Sequence, residues 1–558
     1  MKNLKISLTI LLLALCFNMP VIQAEQHKAA IATAHPLATY AGFEILNQGG
    51  NAFDAAVAIS AALGVVEPAG SGLGGGGFWL LHRASDGFEI MVDGREKAPL
   101  AATKDMFVDQ QGEFVKALAR NGPLAAGIPG VPAALEHLSK KYGRLSLAQS
   151  LQPAIRYAQN GFEIGERHRK LLKFRLATLQ NNPQTANIFL DNNKIPASKT
   201  VLKQTDLANT LKQLAEFGAN GFYSGNVAKA LVNSVQKSGG VWSLEDLSAY
   251  QIIERKPIRG EYKGVKITSA ALPSSGGIVI TEALNILSGY KLEMLDEKMR
   301  KHLISEAMRR AYHDRALYLG DSDFVDVPVN RLINQHYAAG LRSTIRLDKA
   351  TPSHYLAGNT DDKTGGRNTT HFSIIDKQGN RVAATLSINF PFGSGFVAEG
   401  TGVLLNDEMD DFSSKAGAMN GYGLVGGIAN AIEPGKRMLS SMSPTFIEDD
   451  KRVAVLGTPG GSRIISMVLL AILDFSEGKG PESWVWQPRF HHQYIPDQIQ
   501  FEKGGLTNDE IAALGSLGHK VKEIRYRYGN MQAVQLDKVQ NKLMAISDPR
   551  GEGLALVR

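Results

Sequence analysis

The chain all but lacks cysteine: the single one, Cys16, lies among its first residues. Around it runs the layout of a secretory leader. Lys2 and Lys5 precede an uncharged apolar stretch from Ile6 to Phe17, followed by Pro20 and the small Ala24 ahead of polar Glu25-Gln26-His27. Cleavage after residue 24 leaves a mature chain without cysteine, which excludes disulfides, thiolate metal sites and a cysteine nucleophile in one step. The apolar stretch is too short to span a bilayer. An N-terminal anchor is the alternative reading of it, and lipoprotein processing is the weaker one, because Leu15 precedes Cys16 where a small residue is wanted. No later segment reaches the roughly eighteen apolar residues of a spanning helix, so no membrane span is expected after leader removal. The predicted location is periplasmic or secreted.

Also missing is any run of five or more Lys and Arg, so the net charge of +7 over 558 residues reads as solubility and not as a nucleic-acid-binding face. Although glycine (57) and proline (22) are plentiful, they follow no three-residue period and form no low-complexity block, which excludes collagen-like and mostly disordered chains. No internal repeat stands out. What remains, 44% apolar and 21% charged, is the composition of a large globular protein with a substantial core.

The pattern is mixed alpha and beta. Pro36 opens a helical face through Leu37, Tyr40, Ala41 and Ile45 that ends at Gly49-Gly50, and Asn51 with Asp54 then caps an Ala-rich helix running to about Val66. Further helices are predicted around Pro132 to Tyr142, Leu147 to Asn160, Leu207 to Phe217 and Met299 to Leu319. Apolar or alternating runs at Gly77 to His82, Phe372 to Ile375, Val382 to Phe390 and Val453 to Leu456 predict strands. Ala350 to Asn368, rich in Pro, Ser, Gly, Asn, Asp and Thr, reads as an irregular, exposed segment. Directly after it, Thr369 begins a strand, Lys377-Gln378-Gly379-Asn380 makes a turn, and Arg381 to Phe390 returns as a hairpin partner.

Several motif matches fail on context. Gly70-Ser71-Gly72-Leu73-Gly74-Gly75 spells a dinucleotide fingerprint, but that mechanism needs a strand before the glycines and a helix after them, and here the order is reversed. Ser288-Gly289-Tyr290-Lys291, Ser387-Ile388-Asn389 and Lys363-Thr364-Gly365 imitate the penicillin-binding set in the wrong order, with Ile where Asp is required. There is no G-x-S-x-G elbow. His491-His492 has no third ligand at metal spacing and reads as a structural or exposed pair.

Four blocks carry a resemblance. These are Asn368-Thr369-Thr370-His371-Phe372-Ser373, then Leu404-Leu405-Asn406-Asp407-Glu408-Met409-Asp410-Asp411-Phe412, then Arg437 to Thr445 with its Ser440-Ser441 pair, and Gly457-Thr458-Pro459-Gly460-Gly461-Ser462-Arg463. In order and spacing they resemble the gamma-glutamyltranspeptidases, also called glutathione hydrolases. Gly49 to Ala56, the glycine run to Phe78 and Asp93-Gly94-Arg95-Glu96 extend the resemblance over essentially the whole mature chain.

The resemblance implies an α+β N-terminal-nucleophile hydrolase, a four-layer αββα sandwich made as one precursor. After leader removal (1–24) the chain is cut between Asn368 and Thr369 into a large chain (25–368) and a small chain (369–558), which form one heterodimeric unit. Thr369 is the implied nucleophile. It also implies Arg95 as the grip on a substrate α-carboxylate, helped by Ser440 and Ser441, and Glu408 with Asp411 as the holders of an α-ammonium. Asn389 is a further polar contact, Gly460 and Gly461 are the oxyanion donors, Ser387 supports the nucleophile, and Tyr422 belongs to a lid loop. The implied substrates are glutathione and other gamma-glutamyl compounds, with water or amino-acid and peptide amines as acceptors. No metal or organic cofactor is implied.

Three departures stand out: Ser387 where many relatives carry threonine, Phe390-Pro391-Phe392 where smaller polar residues are common, and Gly94 where a bulkier residue precedes the arginine. The last two are expected to reshape the acceptor side or loosen Arg95. The alternatives are a related acylase acting on glutaryl amides such as cephalosporin side chains, and a non-catalytic relative that binds gamma-glutamyl compounds.

Overall fold

The computed structural model describes residues 28–356, 369–413, 424 and 426–558. The leader, the cleavage residue Asn368 and Tyr422 lie outside the described residues.

Two antiparallel sheets form the centre. The seven-stranded sheet runs in the order Leu554–Val557, Ala30–Thr33, Thr370–Ile375, Arg381–Ser387, Gly76–Arg83, Phe88–Gly94 and Ile253–Arg255. The six-stranded sheet runs Lys542–Ser547, Gln532–Asp537, Arg452–Gly457, Thr445–Glu448, Val265–Ser269 and Ile258–Tyr262. Side chains of a strand alternate between its faces, and both faces of the first sheet are covered. Trp79 and Leu81 join one core with helices Pro36–Asn47, Ala52–Val66 and Leu147–Asn160. Phe78 and Leu80 join the other, between the sheets, with Phe446, Val455 and Val534. Helices Gly276–Leu287, Glu297–Tyr318 and Arg463–Ser476 belong to that second core, which completes four layers in the order αββα. Burial on both faces explains why these strands read as continuous apolar runs and not as alternation.

The helices lie where the sequence places them, at Pro36–Asn47, Ala52–Val66, Val131–Tyr142, Leu147–Asn160, Thr205–Phe217 and Glu297–Tyr318. The capping box is formed: Asn51 Oδ1 accepts from the N–H of Asp54 at 3.1 Å, and Asp54 Oδ2 accepts from the N–H of Asn51 at 2.9 Å. The hairpin after Thr369 is also formed, with Ile375 opposite Arg381.

Two expectations are corrected. The strand expected to reach Phe390 stops at Ser387, because Asn389 turns into the left-handed region (φ 70°) and the chain leaves the sheet. The stretch expected to be irregular and exposed from Ala350 is buried at its start. Ala350 is 6% exposed and donates its N–H to Leu517 O. Ser353 is fully buried, accepting from Arg309 Nη1 at 2.7 Å and donating to Tyr494 O at 2.7 Å.

The glycine run has a packing role. A Cβ on Gly74 would fall 2.1 Å from Leu404 O, and one on Gly75 would fall 2.2 Å from Ser387 O. Only hydrogen fits between these backbones. His491 and His492 are buried structural residues: His491 bonds Ser466 Oγ at 2.6 Å and Gln493 Oε1 at 2.7 Å, and His492 Nδ1 accepts from the N–H of Tyr494.

Candidate active site

Thr369 stands at the entry to Thr370–Ile375, between the strands Ala30–Thr33 and Arg381–Ser387, and is 4% exposed. Its neighbour Thr370 donates its hydroxyl to Glu67 Oε2 at 2.6 Å, which anchors the start of the strand. His371 is no base for Thr369. Its ring nitrogens lie 2.8 Å from Thr385 Oγ1 and 3.1 Å from Ser373 Oγ, and burial pushes its pKa down to about 3, so the ring is neutral.

A narrow cavity opens beside Thr369. Nine of the residues predicted from sequence border it: Thr369, Ser387 and Gly461 at one end, and Arg95, Asn389, Glu408, Asp411, Ser440 and Ser441 around the rest. Gly460 borders the adjoining cavity instead. Both glycines lie between the strand Arg452–Gly457 and the helix Arg463–Ser476, with φ of 146° and 58°, which a residue with a Cβ rarely adopts. They therefore sit at the positive end of a helix dipole.

Arg95 is the first residue past the strand Phe88–Gly94. Its N–H is held by Asp93 Oδ1 at 2.9 Å and its carbonyl by the Tyr250 hydroxyl at 2.7 Å. Its guanidinium reaches Asp411 Oδ2 at 2.6 Å, Glu408 Oε2 at 2.8 Å, Glu96 Oε2 at 3.4 Å and Met438 O at 3.2 Å. The expected loosening at Gly94 does not occur. Gly94 is where the backbone presses on Trp79, since a Cβ there would lie 2.9 Å from the indole ring. Nor do Phe390-Pro391-Phe392 border the cavity: Phe390 lies under Arg120 at 4.9 Å, and Phe392 packs against His168 and Phe189.

Glu408 and Asp411 share the short turn Glu408–Asp411, which Asn406 fixes from below. Asn406 Oδ1 accepts from the N–H groups of Glu408 and Gly127 at 2.9 Å each, and its Nδ2 donates to Gly74 O and Gly127 O at 2.7 Å each. Asn430 ties the turn to the segment that carries the serine pair, donating to Asp411 O at 2.7 Å and accepting from the N–H of Leu439 at 2.9 Å. Neither amide was singled out from sequence.

The electrostatics are those of a buried, crowded cluster. Burial opposes the Arg95 charge, but Glu408, Glu96 and Asp411 outweigh it and raise its pKa. Burial and the charge of Asp411 push Glu408 up, against Arg95 and a hydrogen bond from Ser387. Burial and the charge of Glu408 push Glu96 well above the carboxylate range, against Arg95. Among the described residues, Glu408 Oε1 is buried without a hydrogen-bond partner. Ser387 Oγ accepts from the N–H of Asn389 at 2.8 Å. One further charged residue borders the cavity and was missed from sequence, Arg315 on the helix Glu297–Tyr318.

The cavity is therefore bordered by a threonine at the head of a strand, a glycine just before a helix and a set of charged side chains. A model of the gamma-glutamyltranspeptidase family matches residues 38–557. The glutathione hydrolase proenzyme of Pseudomonas sp. (strain A14) is 42% identical over 531 residues, covering 93% of this chain and 92% of its own length. That of Escherichia coli (strain K12) is 40% identical over 525 residues, covering 93% and 90%. Among solved structures, the cephalosporin acylase from Bacillus halodurans superposes with a TM-score of 0.83 at 28% identity over 95% of this chain and 96% of that one. The Helicobacter pylori gamma-glutamyltranspeptidase superposes at 0.57 with 42% identity, over 60% of this chain and 97% of that one. With a family model spanning nearly the whole sequence and relatives of this identity along it, the chain belongs to the gamma-glutamyltranspeptidase family.

Proposed function

We propose that the protein is an exported gamma-glutamyl transferase and hydrolase that cuts itself before Thr369 and then uses Thr369 as its nucleophile. In the precursor, the Thr369 hydroxyl attacks the carbonyl carbon of Asn368 and moves the acyl group from nitrogen to oxygen. Water then hydrolyses that ester, leaving Asn368 with a carboxylate and Thr369 with a free α-amine. A free α-amine has a pKa of roughly 7.7 to 8.0, so near neutral pH part of it is unprotonated and can take the proton of its own hydroxyl. Thr369 Oγ then attacks the donor's γ-carbonyl, the leaving amine departs with a proton, and a γ-glutamyl ester remains. Water or an acceptor amine attacks the ester and frees Thr369. Gly460 and Gly461 N–H groups stabilise the oxyanion, a contribution of about 3 to 4 kcal/mol per donor in comparable sites.

The observation that carries the reading is the Arg95–Glu408–Asp411 cluster facing Thr369 across one cavity. A γ-glutamyl group brings one ammonium and one carboxylate. The ammonium takes Glu408, whose Oε1 has no other described partner, together with Asp411, while the carboxylate takes Arg95 and the hydroxyls of Ser440 and Ser441. Equal charges enter and no net charge is buried. Asn389, which borders the cavity, is a further polar contact, and Ser387 holds Glu408. Both chains build one sheet, since Thr370–Ile375 pairs with Ala30–Thr33 and Arg381–Ser387 pairs with Gly76–Arg83, which supports a heterodimer that stays together after cutting. The leader at residues 1–24 supports a periplasmic or secreted location. Among the described residues no helix is long and apolar enough to cross a membrane.

The test is intact mass and N-terminal sequencing of wild type beside Thr369→Ala. Two chains in wild type, one beginning Thr-Thr-His-Phe-Ser, and one chain in the variant support the mechanism, whereas a folded wild type that stays whole removes it and leaves the binding-protein alternative. The likeness to a cephalosporin acylase keeps a glutaryl-amide reading in play. Comparing kcat/KM for a γ-glutamyl anilide and a glutaryl anilide separates the two, because a glutaryl group has no ammonium for Glu408 and Asp411.

A further inference from the structure

Two guanidinium groups border the Thr369 cavity, and they are treated differently by their surroundings. Arg95 is ringed by three carboxyl groups. Arg315 is also buried, at 4% exposed, yet among the described residues no carboxylate lies within ion-pair distance of it. Its Nε donates to Ser275 Oγ at 2.9 Å and its Nη2 to Ser441 Oγ at 3.3 Å. The charge of Asp411 acts on it only from beyond ion-pair distance, and buried cations are normally matched by an anion in direct contact, so this one points to an anion that comes with the ligand.

The direction of each hydrogen bond sharpens the point. Arginine can only donate, so both serine hydroxyls accept from it. Ser275 commits its own proton to Ser440 O at 2.7 Å, with its N–H on the same carbonyl at 2.8 Å, and so fixes the backbone of the serine pair. Ser441 keeps its proton. Ser440 Oγ accepts from the N–H of Met442 at 3.1 Å, and it keeps its proton as well. Two hydroxyl protons, with a positive charge bonded behind one of them, make a binding face for a carboxylate.

We propose that Arg315 is a positioning residue for the α-carboxylate of the γ-glutamyl group: acting through Ser441 and through Ser275 on Ser440, it presents both hydroxyls as donors and supplies the charge that a buried carboxylate requires. This rests on the γ-glutamyl reading of the cavity. It makes Arg315 a determinant of donor specificity, selecting donors with a free α-carboxylate over those in which that group is an amide. Arg95, shared among Glu408, Glu96 and Asp411, is not left to do this alone.

The test compares wild type, Arg315→Met, Arg315→Lys and Ser275→Ala, each confirmed by mass as two chains, on γ-glutamyl anilide and on the same anilide with its α-carboxylate converted to a carboxamide. Wild type should prefer the carboxylate donor. Arg315→Met should cut that preference roughly 30-fold or more, mostly through KM, because one partner of a buried charged contact is lost. Arg315→Lys should recover part of the preference, and Ser275→Ala should lose part of it. If Arg315→Met stays uncut, Lys and Ser275→Ala decide. Variants that turn over both donors with the wild-type ratio overturn the inference, since a merely structural role would slow both alike. A wild type that turns over neither donor overturns the reading of the site, and this inference with it.

Discussion

The two ends of the Thr369 cavity are built from opposite materials. The reacting end is small and nearly uncharged, with Thr369 at a strand start, Ser387 at the end of the neighbouring strand and Gly461 before a helix. Its geometry comes from backbone, and its precision from the close approaches that the glycines allow. The recognition end is charged and largely buried, with Arg95 bonded to both Glu408 and Asp411. Its order comes from ion pairs that a ligand must exchange and not merely add to. The first end should therefore respond to substitution in an all-or-none way, and the second by degrees and with pH.

The largest effect is expected from Thr369→Ala. Cutting should stop and turnover should fall by about a thousandfold or more, as for loss of a nucleophile elsewhere, read by mass and donor assay on one preparation. Next comes Arg95→Ala, which strands Glu408 and Asp411 without their cation. Donor kcat/KM should fall on the order of 100-fold while cutting at Thr369 continues, and equal losses in both would erase the division between the ends.

A pH series sharpens the comparison further. Burial and Asp411 hold Glu408 above the usual carboxylate range, so mild acid protonates it and removes the charge proposed to meet the donor's ammonium. KM for the γ-glutamyl donor should rise as pH is lowered from mildly alkaline to mildly acidic. In Asp411→Asn one like charge is gone, Glu408 ionises more easily, and the rise should shift to lower pH. An unmoved KM profile would place the ammonium elsewhere. The smallest effect is expected from Ser387→Thr, which keeps the hydroxyl that accepts from Asn389 and bonds Glu408. Its kcat/KM should stay within about threefold of wild type, in line with the small cost of a well-tolerated methyl.

The recognition end was legible in sequence only through the resemblance to the gamma-glutamyltranspeptidases, carried by the blocks that hold Arg95, Glu408, Asp411 and Ser440-Ser441. Nothing local to Arg95 announces three acidic neighbours, because Glu408 and Asp411 are more than three hundred positions away. Asn406 and Asn430 were passed over for the same reason: their roles lie in backbone groups of distant segments. Arg315 sits on a helix crowded with charge, where Glu306, Arg309, Arg310 and Asp314 are buried too, so no apolar stripe marks which side faces inward. Similarly, Ser353 looks like a loop residue and is buried only because Arg309 and Tyr494 O converge on it.

Sequence alone determined the helices with clear caps, the hairpin that follows Thr369 and the narrow thiol chemistry of a chain whose single cysteine is Cys16. These depend on nearest neighbours and on the side chains present, which are local facts. Tertiary structure alone decided that the strand ends at Ser387, that the glycine run is a packing surface against Leu404 and Ser387, and that Arg95 arrives at the cavity already paired while Arg315, among the described residues, has no carboxylate within ion-pair distance. Burial and pairing are sums over contacts between distant segments, and no window along the chain contains them.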